Sequence, residues 1–200
     1  ETDKMSLEEQ ISSLDLSVIE LGKKEEKRGF FEPMYAMTSN HIAENKEKYV
    51  QIGLQAIKNG KIGAIMLAGG QGSRLGFESP KGMFNIGINR ELYIFECLMN
   101  NLKEVTDMAG AYVPLFIMTS VDNNDETKEF FRKHDFFGYD KEYIWFFVQE
   151  QLPTIDKEGK LMLADKTKIL TAPNGNGGWY ASMERTGMSE GLNQKNIEWI

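Results

Sequence analysis

The sequence predicts an α/β fold built on a mostly parallel sheet with helices on both faces. Short apolar runs at 62–67, 111–118 and 143–148 lack the alternation of a half-exposed strand, which is typical of strands buried on both faces. Amphipathic helical patterns lie between these runs, and a strand–helix–strand alternation favours right-handed crossovers between parallel strands. The prediction is therefore a Rossmann-like, mostly parallel mixed sheet.

Residues 1–59 are polar and helical in pattern, and we expect them to form an N-terminal arm that packs on residues 60–200. Ser6 and Glu9 have the spacing of a capping box, which predicts a helix start. Residues 29–34 interrupt the pattern, and a second helix is predicted over 42–58. An Asn59-Gly60 turn then leads into the first strand.

After the first strand, the pattern predicts a short strand over 83–88 and a helix over 92–108. The strand over 111–118 follows. Asn123, with Glu126 three residues later, marks the next helix start. The strand over 143–148 places Gln149 at its carboxyl end, which is where ligands bind in an open α/β sheet.

The pattern changes after Pro153. Residues 155–161 predict a hairpin turn, and 169–171 predict a further short strand. A second glycine-rich loop at 172–178 is followed by a helical stretch that begins near Trp179. Residues 196–200 have the pattern of a new element, so we expect the domain to continue beyond residue 200.

Composition and charge exclude several classes of protein. The chain has 200 residues, of which 41% are hydrophobic and 26% charged, as is usual for a globular protein. Its net charge of −7 argues against a nucleic-acid-binding surface. Its longest apolar run is far below the roughly 20 residues that span a bilayer. One cysteine and two histidines give no disulfide and no zinc-ligand spacing. We expect a cytoplasmic protein without nucleic-acid or membrane partners.

The segment most informative about function is residues 62–82, which read I-G-A-I-M-L-A-G-G-Q-G-S-R-L-G-F-E-S-P-K-G. Glycines at the end of a strand let the backbone approach an anion closely and direct N–H groups at it. Arg74 and Lys81 add two cations to this loop. The segment therefore predicts a phosphate-binding site.

Two common nucleotide motifs do not fit this loop. A P-loop requires G-x-x-x-x-G-K-[ST], but Phe77 and Glu78 follow Gly76. The dinucleotide fingerprint G-x-G-x-x-G is also missed, because Gly70, Gly72 and Gly76 are spaced G-x-G-x-x-x-G. This spacing argues against a dinucleotide-dependent oxidoreductase.

The loop instead resembles the L-A-G-G-Q-G-T-R-L-G…P-K-G signature of eukaryotic UDP-N-acetylglucosamine (UDP-N-acetylhexosamine) pyrophosphorylases, with Ser73 in place of the usual Thr. The resemblance runs from about Tyr49 to the C-terminus, with further motifs in the same order at 114–120, 128–138, 146–153 and 172–180. Asn174 stands where the family usually has Asp. The segment 89–90 departs from the family's usual Pro-Ser and basic residue.

The resemblance implies that the chain is the N-terminal portion of such an enzyme, with the nucleotide-diphospho-sugar transferase fold. Residues 60–200 would then be the first part of its catalytic domain. The implied reaction is uridylyl transfer from UTP to N-acetylglucosamine 1-phosphate, which gives UDP-N-acetylglucosamine and pyrophosphate. Arg74 is expected at the triphosphate, aided by the N–H groups of Gly72 and Ser73, and Lys81 at the α-phosphate and the sugar phosphate.

The same resemblance implies the rest of the nucleotide site. Gln149 is expected at the uracil edge, where its amide can both donate and accept. Asn176 is expected at sugar or ribose hydroxyls. The remaining nucleotide-binding positions are backbone contacts at Ala68, Gly69, Gly70 and Gly175.

The resemblance also implies a divalent cation, Mg²⁺ or Mn²⁺, whose ligand is expected downstream of residue 200, so no metal ligand is assigned in this chain. If the 200 residues were the whole molecule, we would expect little turnover. Two alternatives stay open: a UDP-glucose or other UDP-sugar pyrophosphorylase, and a non-catalytic UTP-binding domain. The choice between N-acetylglucosamine and N-acetylgalactosamine 1-phosphate is open as well.

Overall fold

The computed structural model describes residues 6–14, 16, 29–194 and 196–200. They fold into two compact units. One contains the described residues up to Tyr35 together with Glu150–Gly177, and the other contains Ala36–Gln149 and Gly178–Ile200. The helices of the described residues are α1 (Leu7–Ser13), α2 (Ser39–Glu44), α3 (Lys46–Lys58), α4 (Ile94–Ala109), α5 (Asn124–Lys133), α6 (Trp179–Arg185) and α7 (Met188–Gln194).

The larger unit is built on a three-stranded parallel sheet in the order β1 (Ala64–Leu67), β2 (Leu115–Thr119) and β3 (Ile144–Val148). All five residues of β2 are buried, as its unbroken apolar run predicts. The α/β fold with a parallel sheet is thus confirmed.

Helices cover both faces of this sheet, as predicted. On one face, Leu115 and Ile117 of β2 share a core with Phe95 and Met99 of α4 and with Phe131 of α5. On the other face, Phe116 and Met118 pack with Met183 of α6, and Met188 of α7 borders this second core. Because neighbouring residues of a strand point to opposite faces, the single run 115–118 supplies both cores.

The C-terminal residues continue the sheet on the far side of β1. Ala64 N–H donates to Pro114 C=O (2.8 Å), whereas Gly63 N–H donates to Trp199 C=O (2.8 Å). Ile62 and Trp199 form an isolated parallel bridge. Helices α4 and α5 lie on the face opposite to α6 and α7, so the winding direction reverses beside β1. Such a switch point is where open α/β sheets bind ligands, outside the carboxyl ends of the strands.

The predicted strand over 83–88 is wrong. The chain instead forms a 3₁₀ turn at Lys81–Met83, and Asn85 makes only an isolated antiparallel bridge with Tyr93. The carboxamide oxygen of Asn85 accepts from the N–H groups of Gly87 (2.9 Å) and Leu92 (3.1 Å). This side chain therefore closes a tight loop where the apolar pattern predicted an extended segment.

Other boundaries shift by a few residues. The predicted helix 42–58 is two helices, α2 and α3, which meet at Asn45. Asn45 Nδ2 donates to the carbonyl of His41 (2.9 Å), so this side chain satisfies the end of α2. The strand predicted over 111–118 begins only at Leu115.

The smaller unit contains the predicted capping box and hairpin turn. Ser6 Oγ accepts from Glu9 N–H (3.2 Å), and Ser6 N–H donates to Glu9 Oε2 (2.7 Å). The strands are β4 (Gln151–Pro153), β5 (Leu163–Asp165), β6 (Lys168–Ile169) and β7 (Thr171–Pro173), with β4–β7 and β5–β6 antiparallel. Gln10 of α1 donates to Thr167 C=O (2.8 Å) and accepts from Ile169 N–H (3.1 Å), which fixes α1 beside β6.

A left-handed turn follows α5. Asp135, Phe136 and Phe137 have φ values of 47°, 50° and 55°, which non-glycine residues rarely adopt. Packing holds the turn in place, since the Phe137 ring stacks on His134 (5.4 Å) and meets Phe131 edge-on (5.3 Å). The turn delivers Tyr139, whose hydroxyl donates to Val113 C=O (2.7 Å) and accepts from Val113 N–H (3.0 Å).

Candidate functional site

The carboxyl ends of the three parallel strands bring the first glycine loop and Gln149 together. Ala68 N–H donates to Met118 C=O (2.7 Å), and Gln149 N–H donates to Thr119 C=O (2.7 Å). A β-carbon on residue 69 would lie 2.9 Å from Gln149 Oε1. Gln149 is 6% exposed, so its amide is held against Gly69 inside the sheet edge.

The glycine loop is closed by its own backbone. Gly72 N–H donates to Ser79 C=O (3.0 Å), and Lys81 N–H donates to Gly70 C=O (3.0 Å). Gly72 is buried, and a β-carbon there would lie 2.7 Å from Phe77 Cδ1, so only glycine fits. Because its N–H is already bonded to Ser79, the loop as folded does not offer Gly72 N–H to a phosphate. The role of Gly72 and Ser73 in nucleotide binding stays a prediction.

The two predicted cations lie in short 3₁₀ turns at either end of the closed loop. Arg74 is in the turn Ser73–Leu75, which ends at Gly76 in the left-handed conformation (φ +66°), and Lys81 begins the turn Lys81–Met83. Ser73, Arg74 and Lys81 are exposed. Within the described ranges, neither cation forms an ion pair with a carboxylate. Both can therefore meet an incoming anion.

Residues 172–177 of the second glycine loop belong to the other unit. Gly175 is exposed and has φ +76°, a conformation that favours glycine, and Asn176 is exposed at the start of the turn Asn176–Gly178. Asn174 N–H donates to Glu150 C=O (3.0 Å), which anchors the loop within that unit. The roles of Gly175 and Asn176 stay predictions.

Asn123 contributes to the site in a way that its sequence pattern did not indicate. The spacing of Asn123 and Glu126 predicted that Asn123 caps the next helix, but its side chain makes no capping hydrogen bond to α5. Instead, Oδ1 accepts from Ser120 N–H (2.8 Å) and Nδ2 donates to Ala68 C=O (3.0 Å). Asn123 is fully buried, and it joins the ends of β1 and β2 directly beneath the glycine loop. The sequence signals were its place four residues after the last residue of β2 and the spacing to Glu126, and neither indicates a bond to Ala68.

The strand ends carry a second cross-link. Thr119 Oγ1 lies 3.2 Å from Phe147 C=O and 2.9 Å from Asn124 Oδ1, and Thr119 is fully buried. This hydroxyl ties the end of β2 to β3, and thus to the strand that carries Gln149.

Among the described residues, no three His, Cys, Asp or Glu side chains are grouped so that they could hold a metal ion. No helix within the described ranges is both long and apolar enough to cross a membrane.

Comparison with known proteins gives one family match. The sequence pattern of the family described as UTP–glucose-1-phosphate uridylyltransferase matches residues 55–200. A relative from Schizosaccharomyces pombe, named probable UDP-N-acetylglucosamine pyrophosphorylase, is 38% identical over 154 residues, which are 72% of this chain and 32% of the relative. The chain spans about a third of the length of the curated relatives it matches.

Solved structures agree with these matches. A putative UDP-N-acetylglucosamine pyrophosphorylase from Entamoeba histolytica aligns with TM-score 0.72 and 36% identity, over 82% of this chain and 42% of that one. The UDP-N-acetylglucosamine pyrophosphorylase from Trypanosoma brucei, solved with an inhibitor, aligns with TM-score 0.69 and 29% identity, over 80% and 35% of the two chains. A UDP-glucose pyrophosphorylase from Leishmania major, at 16% identity and TM-score 0.55 over 72% and 30%, shares the fold.

Proposed function

Because the chain belongs to the UTP–glucose-1-phosphate uridylyltransferase family, we propose that it is part of an enzyme that forms UDP-N-acetylglucosamine and pyrophosphate from UTP and N-acetylglucosamine 1-phosphate. The observation that carries the proposal is the juxtaposition of Gly69 with the buried amide of Gln149 at the switch point of the sheet. The choice of an N-acetylated sugar is supported by the names of the relatives with 36–38% identity.

The phosphate end of the site is the closed loop between Gly70 and Lys81. In the proposed reaction, an oxygen of the sugar phosphate attacks the α-phosphorus of UTP in line, the bond to the β-phosphate oxygen breaks, and pyrophosphate leaves. Catalysis of this kind depends mainly on positioning and on neutralising charge. Arg74 binds the triphosphate, and Lys81 neutralises charge between the α-phosphate and the sugar phosphate.

The base end of the site is Gln149. Its carboxamide can donate to one polar atom of a uracil edge and accept from the adjacent N–H. Ala68, Gly69 and Gly70 supply backbone against which the nucleotide packs closely, and the two glycines carry no β-carbon that would obstruct its approach. In the second glycine loop, Gly175 is a proposed nucleotide-binding position, and Asn176 is proposed to contact sugar or ribose hydroxyls.

A divalent cation, Mg²⁺ or Mn²⁺, would supply further charge neutralisation when bound. We propose that its carboxylate ligand lies downstream of residue 200, as the resemblance to the pyrophosphorylase family implies. We also propose that the protein is cytoplasmic and has neither a nucleic acid nor a membrane as partner.

The test is pyrophosphate release by the complete protein with UTP and each of three sugar 1-phosphates. We expect turnover with N-acetylglucosamine 1-phosphate that exceeds turnover with glucose 1-phosphate. N-acetylgalactosamine 1-phosphate measures how far the sugar pocket distinguishes the C4 epimers. Activity with glucose 1-phosphate alone would refute the N-acetyl assignment, and UTP binding without turnover with any of the three would identify a non-catalytic domain.

A further inference from the structure

Asn123 occupies an unusual position for a residue at a helix start. An asparagine at this point ordinarily accepts a hydrogen bond from an N–H of the first helical turn, which stabilises the helix by about 1 kcal/mol. Asn123 makes no such bond to α5. Its carboxamide instead spans two strands, with one hydrogen bond to Ser120 N–H and one to Ala68 C=O.

Both partners of Asn123 are backbone groups at the candidate nucleotide site. Ala68 is the residue immediately before Gly69, and Ser120 N lies 3.7 Å from the position of a β-carbon on residue 69. The same hypothetical β-carbon lies 2.9 Å from Gln149 Oε1. The Asn123 carboxamide therefore bonds the backbone on both sides of the point where Gly69 meets Gln149.

The hydrogen bonds also determine the chemistry that position 123 requires. The oxygen must accept from an N–H, and the nitrogen must donate to a carbonyl, so only a carboxamide of this length satisfies both groups. Asn123 has 0% exposure, so water cannot replace either bond. A carboxylate of the same shape would keep the bond to Ser120 and direct an oxygen at the carbonyl of Ala68.

We propose that Asn123 is a positioning residue for base recognition, holding the backbone at Gly69 in the register that lets Gln149 select uracil. This inference rests on the proposed function, because it requires that Gly69 and Gln149 bind a uridine nucleotide. Asn123 acts through these two residues and does not itself touch the nucleotide.

The experiment compares Asn123→Asp and Asn123→Ala with the matched control Thr127→Val. Thr127 lies one turn further along α5 and is equally buried, and its hydroxyl has no hydrogen-bond partner among the described residues. Dissociation constants for UTP and for CTP are measured in the complete protein, at a temperature where circular dichroism shows each variant folded. The ratio of the two constants is the decisive quantity, because a loss of stability alone does not change base selectivity among folded molecules.

We expect Asn123→Asp to weaken UTP binding about tenfold and to reduce the preference for UTP over CTP. The reason is that a displaced backbone at Gly69 would leave the Gln149 amide misaligned with the uracil edge, at the cost of about one hydrogen bond. Thr127→Val should leave both constants unchanged. Should Asn123→Asp fail to fold, Asn123→Ala provides the same test, because it removes both bonds without placing an oxygen against Ala68. An Asn123 variant that folds and keeps wild-type selectivity would overturn the inference.

A double-mutant comparison separates positioning from a general effect. If Asn123 acts through Gln149, the preference for UTP over CTP that remains in Gln149→Ala should not decrease when Asn123→Ala is added. Independent effects of the two substitutions would instead add. Additive losses would overturn the proposal. A wild-type protein without preference for UTP would overturn the proposed function and this inference with it, whereas retained selectivity in the variants would overturn the inference alone.

Discussion

At the scale of single residues, the Asn123 side chain bonds the Ala68 carbonyl at the end of another strand, and the Gly72 N–H bonds the Ser79 carbonyl across the glycine loop. Glycines and two cations at a strand end indicated phosphate, and the resemblance pointed to Gln149 as a base-reading amide. The hydrogen bonds of the Asn123 side chain and the bond from Gly72 N–H to Ser79 C=O could not be predicted from the sequence, because the bonded groups lie on different strands or on opposite sides of a loop. A side chain that bonds backbone at another strand leaves no local pattern in the sequence.

Lys81 carries the first prediction at this scale. In the complete enzyme, Lys81→Ala should lower kcat/KM roughly 10²–10³-fold, because a cation that neutralises transition-state charge in phosphoryl transfer is lost. The fold should persist, since the side chain is exposed and only the backbone of residue 81 closes the loop. Lys48→Ala on exposed α3 is the control and should keep full activity. Near-normal turnover by Lys81→Ala would remove Lys81 from the mechanism.

Two adjacent glycines give the second prediction. Gly69→Ala places a β-carbon 2.9 Å from Gln149 Oε1, whereas Gly70→Ala places one in open space. In the unliganded protein, the NMR signal of the Gln149 side-chain amide should therefore shift in Gly69→Ala and stay in place in Gly70→Ala. UTP affinity in Gly69→Ala should fall about tenfold, as the loss of one aligned hydrogen bond costs on the order of 1 kcal/mol.

Gly70→Ala then tests close backbone approach on its own. A loss of UTP affinity in that variant, without any change at Gln149 in the free protein, would indicate that the nucleotide itself meets the added methyl group. An unchanged Gln149 signal together with unchanged UTP affinity in Gly69→Ala would contradict the contact between these two residues.

At the scale of elements, the buried strands and the helices between them followed from hydrophobic periodicity, whereas the connections did not. Residues 83–88 are apolar enough for a strand, but the Asn85 carboxamide bonds two N–H groups of its own loop and closes it. The left-handed turn at 135–137 likewise runs against the preference of every residue in it. Tertiary packing of Phe137 against Phe131 and His134 stabilises that conformation, and no local sequence pattern predicts it.

The end of that turn provides a prediction about pH. Burial raises the pKa of Tyr139 to about 12, and its hydroxyl bonds both backbone groups of Val113 just before β2. The phenol of the unfolded chain ionises near pH 10, so the stabilisation from this group is complete below pH 10. It is lost as the pH rises from about 10 to about 12, because only the unfolded state then releases the proton readily.

The variant Tyr139→Phe tests this assignment. At pH 7 it should lower the free energy of unfolding by about 1–3 kcal/mol, since Val113 N–H loses its acceptor inside the protein. In urea titrations between pH 10 and 12, the variant should lose less stability than the wild type. Tyr112→Phe is the control, because it retains the ring that stacks on Tyr143 and Tyr112 is 45% exposed. Equal alkaline slopes for wild type and Tyr139→Phe would assign the transition to another group.

At the scale of the whole molecule, the order of the strands explains why the site lies at the end of β1. The chain winds from β1 through β2 to β3 with α4 and α5 on one face, and it returns beneath α6 and α7 to the other edge of β1. The carboxyl end of β1 thus lies between neighbours whose connections leave in opposite directions, which opens a crevice for a ligand. Sequence alone predicted the parallel sheet and its covered faces, but not this return, because a single bridge at Trp199 defines it.

The return segment, residues 197–200, bonds the backbone at the start of β1. Glu198 and Trp199 N–H groups both donate to Lys61 C=O (2.9 and 3.0 Å), and Gly63 N–H donates to Trp199 C=O. Ile197 borders the core under α6 and α7, and its Cγ2 would lie 3.3 Å from a β-carbon on Gly63. Deleting residues 197–200 should therefore lower the free energy of unfolding by about 2–4 kcal/mol, because it removes these three backbone hydrogen bonds, the bond from Ile197 N–H to Leu192 C=O, and one partly buried isoleucine.

Trp199→Ala is the matched control for that deletion. It retains the backbone bonds and removes a side chain that is 67% exposed, so urea unfolding should change by less than about 1 kcal/mol. The Lys61–Glu198 ion pair is partly exposed and should contribute little, so Glu198→Gln should behave like Trp199→Ala. If the deletion were no more destabilising than these two substitutions, the return segment would not secure β1. If it is more destabilising and also weakens UTP binding, the edge pairing of β1 supports the glycine loop at its other end.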